Sequence, residues 1–223
     1  IKQLHEILMT NARGTTSSGG EYRKVQNFIG PDNKIENATY IPIPAHEIDE
    51  YMANLEHFIN GQNHSSFDKD KEPNLEYFDY ECDSLIKIAI AHAQFESIHP
   101  FLDGNGRLGR ILITLLAVSE GLVTAPLFFV SEELEKERIR YYNALNATRG
   151  QQPDWYNWIQ FFMNASGRMA TKMIGQLERA ETLAKKGISL CKIESHKKVW
   201  LATFSQPITT SARIAESTGL HNT

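Results

Sequence analysis

Apolar residues return every three to four positions along most of this chain, the period of a helix buried on one face. Leu4, Ile7 and Leu8 predict a first helix, ended by a Gly/Ser/Thr-rich loop over residues 14–20. After Pro44, the spacing of Ile48, Tyr51, Met52, Leu55, Phe58 and Ile59 predicts a second helix, and residues 61–74 read as polar loop. Leu85, Ile88, Ala89, His92, Ala93, Phe95 and Glu96 carry a helix as far as His99, where Pro100 disfavours helical geometry at the residue before it. Residues 105–120 form a strongly apolar helix closed by Gly121. Ser131 is the expected N-cap of another, acidic in its first turn and reaching Thr148. Trp155, Trp158, Ile159, Phe162, Met163, Met169 and Met173 mark a long helix whose aromatic and methionine stripe reads as core rather than cofactor contact.

Residues 25–44 break this period. Gly30-Pro31-Asp32-Asn33 has turn chemistry and Tyr40-Ile41-Pro42-Ile43-Pro44 must run extended, so a small hairpin or flap is expected. The fold class is therefore mostly α with one small β element.

Composition narrows the function classes. A formal net charge of −4 gives no general pull toward nucleic acid or an anionic membrane, so a phosphate site must be local. Cys82 and Cys191 are far apart and outside any metal-binding spacing, which points to neither a disulfide framework nor a structural zinc. The longest apolar run, residues 111–118, is far short of the roughly 20 residues that span a bilayer, and no membrane partner is expected. A cytoplasmic location fits this pattern. The chain starts without Met and stops inside a periodic pattern, so further sequence is expected at both ends.

The run His99-Pro100-Phe101-Leu102-Asp103-Gly104-Asn105-Gly106-Arg107-Leu108-Gly109-Arg110 gathers what triphosphate chemistry needs. Gly104 and Gly106 fall where a helix begins, so free backbone N–H groups and the helix dipole face an incoming anion without a side chain in the way. Arg107 and Arg110, three apart, put two guanidinium forks on one helical face. Asp103 offers the hard oxygen that Mg²⁺ prefers. His99 can accept a proton from an attacking hydroxyl near neutral pH. Residues 104–109 also fit G-x-G-x-x-G, but a helix precedes them where a dinucleotide site needs a strand. His92, Glu96 and His99 share helical spacing that could converge on zinc; Pro100 breaks the geometry at the last member, and no second ligand group follows.

Residues 99–110 match the Fic signature H-x-F-x-[D/E]-G-N-G-R-x-x-R at every specified position, and on this motif the chain resembles the Fic family. Gly20-Glu21-Tyr22-Arg23, Gln26-Asn27-Phe28-Ile29-Gly30, the Pro-rich segment 40–44, Phe95-Glu96, Tyr141-Tyr142 and residues 155–162 also look like Fic features, so that the resemblance covers residues 1–185. It implies a compact helical domain with a β-hairpin flap. It implies a protein adenylyltransferase using ATP and Mg²⁺, in which His99 deprotonates a Ser, Thr or Tyr hydroxyl of a target protein that attacks the α-phosphate and releases pyrophosphate. By position it assigns magnesium binding to Asp103, the anion hole to Gly104, Asn105 and Gly106, the β- and γ-phosphates to Arg107 and Arg110, and the adenine pocket to Tyr142. A flap containing Ile29, Thr39 and Tyr40 would align the target backbone by strand addition. The chain has Pro42-Ile43-Pro44 where the family often shows a run of prolines. The family's inhibitory pattern [S/T]-x-x-x-E-[G/N] is not met: Ser17 to Glu21 is followed by Tyr22, and Ser131 to Glu135 by Lys136, so an inhibitory helix is expected upstream of Ile1 if it exists.

Residues 186–223 read as a separate helical segment. Thr209 and Thr210 cap a short helix with Ala212, Ile214 and Ala215 inward, and Thr218-Gly219-Leu220 makes a turn; this is similar to the start of the winged-helix domains that follow some Fic domains, and equally to a plain helical hairpin. A target protein is the expected partner, with a second copy of the chain and, through this segment, DNA as further candidates. Transfer of UMP, phosphate or phosphocholine, removal of AMP, and a quiescent module with a DNA-binding tail remain open alternatives.

Overall fold

The structure, a computed structural model, describes residues 1–10, 19–30, 32, 34–64 and 78–220. The expected turn at Pro31 and Asn33 and most of the loops over residues 14–20 and 61–74 lie outside them. Within the described residues the chain divides into two compact units, Ile1–Ser166 and Gly167–Thr223.

The first unit is built around α3 (Ser84–Ile98), which buries residues on every side, among them Ile88, Ala89, Ile90, Ala91, Phe95 and Ile98. A helix apolar all round belongs at the centre of its domain. Asp83 caps its start, accepting from the Leu85 N–H at 2.9 Å. On one side α3 packs against α4 (Asn105–Ser119), which buries Leu108, Gly109, Leu112, Ile113, Leu116 and Ala117 at helical spacing. On another it packs against α2 (Ile48–Ile59), and α1 (Lys2–Thr10) lies against α4. The start of α7 (Trp155–Leu190) closes the core with Trp158, Phe161 and Phe162, the Trp158 indole donating to the Ala89 carbonyl at 2.9 Å.

The helix expected from Ser131 to Thr148 is two: α5 (Ser131–Lys136) and α6 (Arg138–Ala147), separated at Glu137, which leaves helical geometry at φ −110° and ψ 39°. Ser131 is the first helical residue and not the cap; Val130 stands there and makes no side-chain bond. Neither Gly nor Pro stands at the break.

The expected β-hairpin flap is not found among the described residues. Among the described residues no strand occurs, and residues 25–44 hold one isolated antiparallel bridge, Ile29 to Tyr40, beside a single 3₁₀ turn at Ile35–Asn37. The bridge cannot extend into a ladder past Tyr40, because Pro42 and Pro44 have no N–H and the carbonyls of Pro42 and Ile43 accept from the side chains of Gln26 and Arg23.

In the second unit, α8 (Glu194–Ser205) lays Trp200 over Gly187 so closely that a Cβ there would collide with the ring, and the indole donates to the Ala184 carbonyl at 3.1 Å. Thr210 caps α9 (Ser211–Thr218), and Gly219 at φ 69° ends it. The winged-helix expectation finds no support in these helices: among the described residues no strand occurs.

Candidate active site at the α3–α4 turn

The turn between α3 and α4 begins at His99, the only non-glycine among the described residues with positive φ (50°, ψ 60°). Such backbone costs about 1 to 3 kcal/mol and persists only where the surroundings enforce it. They do. The last turn of a helix leaves carbonyls without partners, and here each meets a side chain brought from elsewhere in the sequence. Arg149 donates to the Glu96 carbonyl at 3.1 Å and Tyr40 to that of Ser97 at 2.7 Å. Buried Arg23 donates to the carbonyls of Ile98 at 3.4 Å and His99 at 3.0 Å, while its own N–H bonds the Pro100 carbonyl at 2.9 Å. Arg149 also stacks its guanidinium over the Tyr40 ring at 3.6 Å.

At the other side of the turn the first turn of α4 is open. Gly104 has φ 83°, which favours glycine, and a Cβ there would also crowd Met9 Sδ at 3.1 Å and His5 Nε2 at 3.3 Å. Buried Asn105 turns its side chain inward: Oδ1 accepts from the Phe101 N–H at 2.9 Å and Nδ2 donates to the Phe101 carbonyl at 2.7 Å. Its amide therefore clamps the loop, and what it can offer a ligand is its backbone N–H. With Leu108 making the first helical bond to Gly104, the N–H groups of Asn105, Gly106 and Arg107 have no carbonyl four residues back in the helix. His5 braces the loop from α1, stacked on Phe101 at 3.7 Å; Nδ1 accepts from the Gly20 N–H at 2.9 Å and Nε2 donates to the Asp103 carbonyl at 3.0 Å.

Arg107 bonds Asp103 at 3.2 Å across four positions, both side chains well exposed, a pairing worth only about 0.3 to 0.5 kcal/mol that a phosphate could replace. Asp103 Oδ1 accepts from the Gly104 N–H at 2.6 Å. Arg110 is half-buried, and no hydrogen bond or ion pair engages it among the described residues. Among those residues no cluster of three or more metal-ligating side chains exists; a lone Asp103 suits an ion held mainly by substrate phosphates.

Three titratable groups stand at or behind this turn, His99 half-buried and His92 and Glu96 buried. Desolvation pushes the His99 imidazole down to about 4, with Arg149 and Arg23 adding to the shift and Glu96 backbone and Asp103 opposing it. His99 is therefore neutral at neutral pH, with Nδ1 on the side of Glu96, 3.8 Å from Oε2. A proton on Nδ1 leaves the lone pair on Nε2. His92, pushed down to about 3 by burial, uses both nitrogens: Nδ1 donates to the Gly109 carbonyl at 3.1 Å and Nε2 accepts from the Tyr141 hydroxyl at 2.8 Å. It has no nitrogen left for zinc. Glu96 is pushed up to about 7 by burial, against the pull of Arg110 and Arg149.

The structure thus brings His99, Asp103, Gly104, Asn105, Gly106, Arg107 and Arg110 to one turn. Tyr40, expected in the flap, pairs its backbone with Ile29 in the isolated bridge and caps α3 with its hydroxyl, while the Thr39 hydroxyl donates to the Ile29 carbonyl at 2.9 Å. Tyr142 is exposed on α6, its ring 5.2 Å from buried Tyr141. The roles of Arg23, Arg149 and His5 were not visible in any spacing. A helix ending at a Pro with no capping glycine was the signal that donors had to come from afar.

A family model for Fic/DOC proteins matches residues 1–117. The chain is 28% identical over 127 residues to the protein adenylyltransferase Fic of Drosophila virilis, covering 57% of this chain and 20% of that protein. It is 54% identical over 41 residues to a probable protein adenylyltransferase of Aquifex aeolicus, covering 18% of this chain and 13% of that one, so it spans a fifth or less of either relative. A crystal structure of a Fic family protein from Desulfovibrio desulfuricans G20 has a TM-score of 0.61 at 22% identity, over 99% of this chain and 56% of that one. A Fic domain containing signaling protein from Bacteroides thetaiotaomicron gives 0.51 at 17% identity, over 75% and 57%. The two structures show the fold, and the family model covers more than half of this sequence: the chain belongs to the Fic/DOC family.

Proposed function

We propose that the chain transfers AMP from ATP to a hydroxyl of a target protein. The observation that carries this reading is the junction of a neutral, rigidly capped His99 with a helix start whose first N–H groups have no helical acceptor. The names of the adenylyltransferase relatives favour AMP as the group moved. The target hydroxyl loses its proton to His99 Nε2 as its oxygen bonds to the α-phosphorus; the bond from that phosphorus to the bridging oxygen breaks, and pyrophosphate leaves. The N–H groups of Asn105, Gly106 and Arg107 would hold phosphate oxygens with the helix dipole behind them. Arg110, and Arg107 once it leaves Asp103, would hold the outer phosphates. Asp103 would hold Mg²⁺, which supplies charge neutralisation on the polyphosphate.

The test is incubation with target extract and ATP labelled at either the α- or the γ-phosphate. Label on protein from the α-position alone, absent with His99→Ala, is the expected result. Label from the γ-position would mean phosphate transfer and would overturn the reading.

A further inference from the structure

Glu96 sits one turn before His99 with its side chain 8% exposed, and the mechanism above gives it no task. Its Oε1 is buried without a hydrogen-bond partner among the described residues. That oxygen lies against Gly109 so closely that a Cβ there would overlap it. It also overlooks the phosphate loop: a Cβ on Gly106 would stand 3.9 Å from Glu96 Oε1 and 3.3 Å from Nη1 of Arg110. A carboxyl and a guanidinium therefore flank the same point on the backbone that would receive the nucleotide.

The groups that face Glu96 are Arg110 from α4, Tyr141 from α6, Arg149 beyond α6, and His99 and His92 on its own helix. Most are committed. Arg149 bonds the Glu96 carbonyl, Ser97 and Asn146, and Tyr141 bonds His92. Arg110 is the cation with no such tie and the stronger of the two that hold the carboxyl toward its charged form. A polyphosphate drawn onto Arg110 would compensate that charge and add negative charge on the same side of Gly106. Both changes favour the acid form of a desolvated carboxyl.

We propose that Glu96 takes up a proton from solvent when a nucleoside triphosphate engages Arg110, so that occupancy of the loop and protonation of the buried carboxyl are one linked event. This rests on the reading of residues 99–110 as a triphosphate site. The bound state holds more protons than the free state, so affinity for ATP falls as pH rises, by at most about tenfold per pH unit for one proton. AMP, without the phosphates that reach Arg110, shows no such dependence through Glu96.

The test is calorimetric titration of the chain with ATP and Mg²⁺ in buffers of different ionisation enthalpy, from about pH 6 to about pH 8, beside the isosteric Glu96→Gln. Titration of ATP itself is common to both proteins and cancels. The parent should take up as much as one proton more per site than Glu96→Gln, and the excess should vanish with AMP or in Arg110→Ala. Equal proton counts with ATP would overturn the inference while leaving the nucleotide site standing. No heat with ATP in either protein would overturn both. If Glu96→Gln fails to fold, ATP-induced infrared difference spectra of the parent decide: a gained protonated-carboxyl band supports the link, and its absence refutes it.

Discussion

The C-terminal end of α3 and the N-terminal end of α4 border the same turn and are treated in opposite ways. At the first, side chains of Arg149, Tyr40 and Arg23 occupy the carbonyls from Glu96 to His99. At the second, the N–H groups of Asn105, Gly106 and Arg107 have no helical acceptor, and Arg110 beside them has no partner among the described residues. Both ends present the same chemical problem, unsatisfied backbone. Solving it internally at one end fixes the geometry of His99, and leaving it unsolved at the other keeps donors for a ligand.

The severest break is His99→Ala, which should lower AMP transfer by about 10²- to 10⁴-fold, the usual worth of a general base, with ATP binding nearly unchanged. Parent-like transfer would remove His99 from its role. Next comes the closed end itself. Arg23→Ala leaves several buried carbonyls without a donor, at about 1 to 3 kcal/mol for each one not rescued by water, and should cost about 2 to 5 kcal/mol of stability in denaturant unfolding. Arg107→Ala, at the open end, should cost less than about 1 kcal/mol, since its ion pair is exposed. Similar losses for the two would erase the distinction between the ends.

Arg110→Ala should weaken ATP by about 10- to 150-fold and leave AMP almost as before, the signature of a lost charge-assisted contact to an outer phosphate. Equal losses for both nucleotides would make Arg110 a packing residue. A further effect is in pH. Because His99 titrates near 4 when folded and near 6.5 when unfolded, its contribution is fully present above pH 6.5 and is lost as pH falls from there through about 4; His92, near 3, acts in the same direction. Transfer should therefore hold from neutral pH down past 6.5 in a pH–rate profile. An acid limb centred at or above 6.5 would show that His99 is solvated as an ordinary histidine is.

The open end was legible in the sequence, because everything that makes it lies within twelve consecutive residues and follows from where a helix starts. The closed end was not. Arg23 reaches His99 across 76 positions and Arg149 reaches Glu96 across 53, distances over which no periodicity speaks. The helices are legible where one apolar stripe dominates, as in α2, α4 and α7, and α3 is legible from its length of apolar sequence ended before Pro100. The long helix from Ser131 failed at Glu137, where nothing in the local composition signals a break. The flap failed for another reason: turn residues and an extended Pro-rich arm permit a hairpin, but Gln26 and Arg23 claim the carbonyls that a ladder would need.

Arg23 also bonds the carbonyls of Val25, at 3.2 Å, and Ile43, besides those of Ile98 and His99. A guanidinium is planar and stiff, so these four atoms are fixed in one common frame of reference. Residues 25 and 43 bracket the arm that carries Ile29, Thr39 and Tyr40. Anything that shifts that arm by more than the slack of a hydrogen bond, a few tenths of an ångström, must also strain the backbone of His99. The arm and the backbone of His99 are thus held to a shared mechanical tolerance, in which Arg23 takes part at both ends.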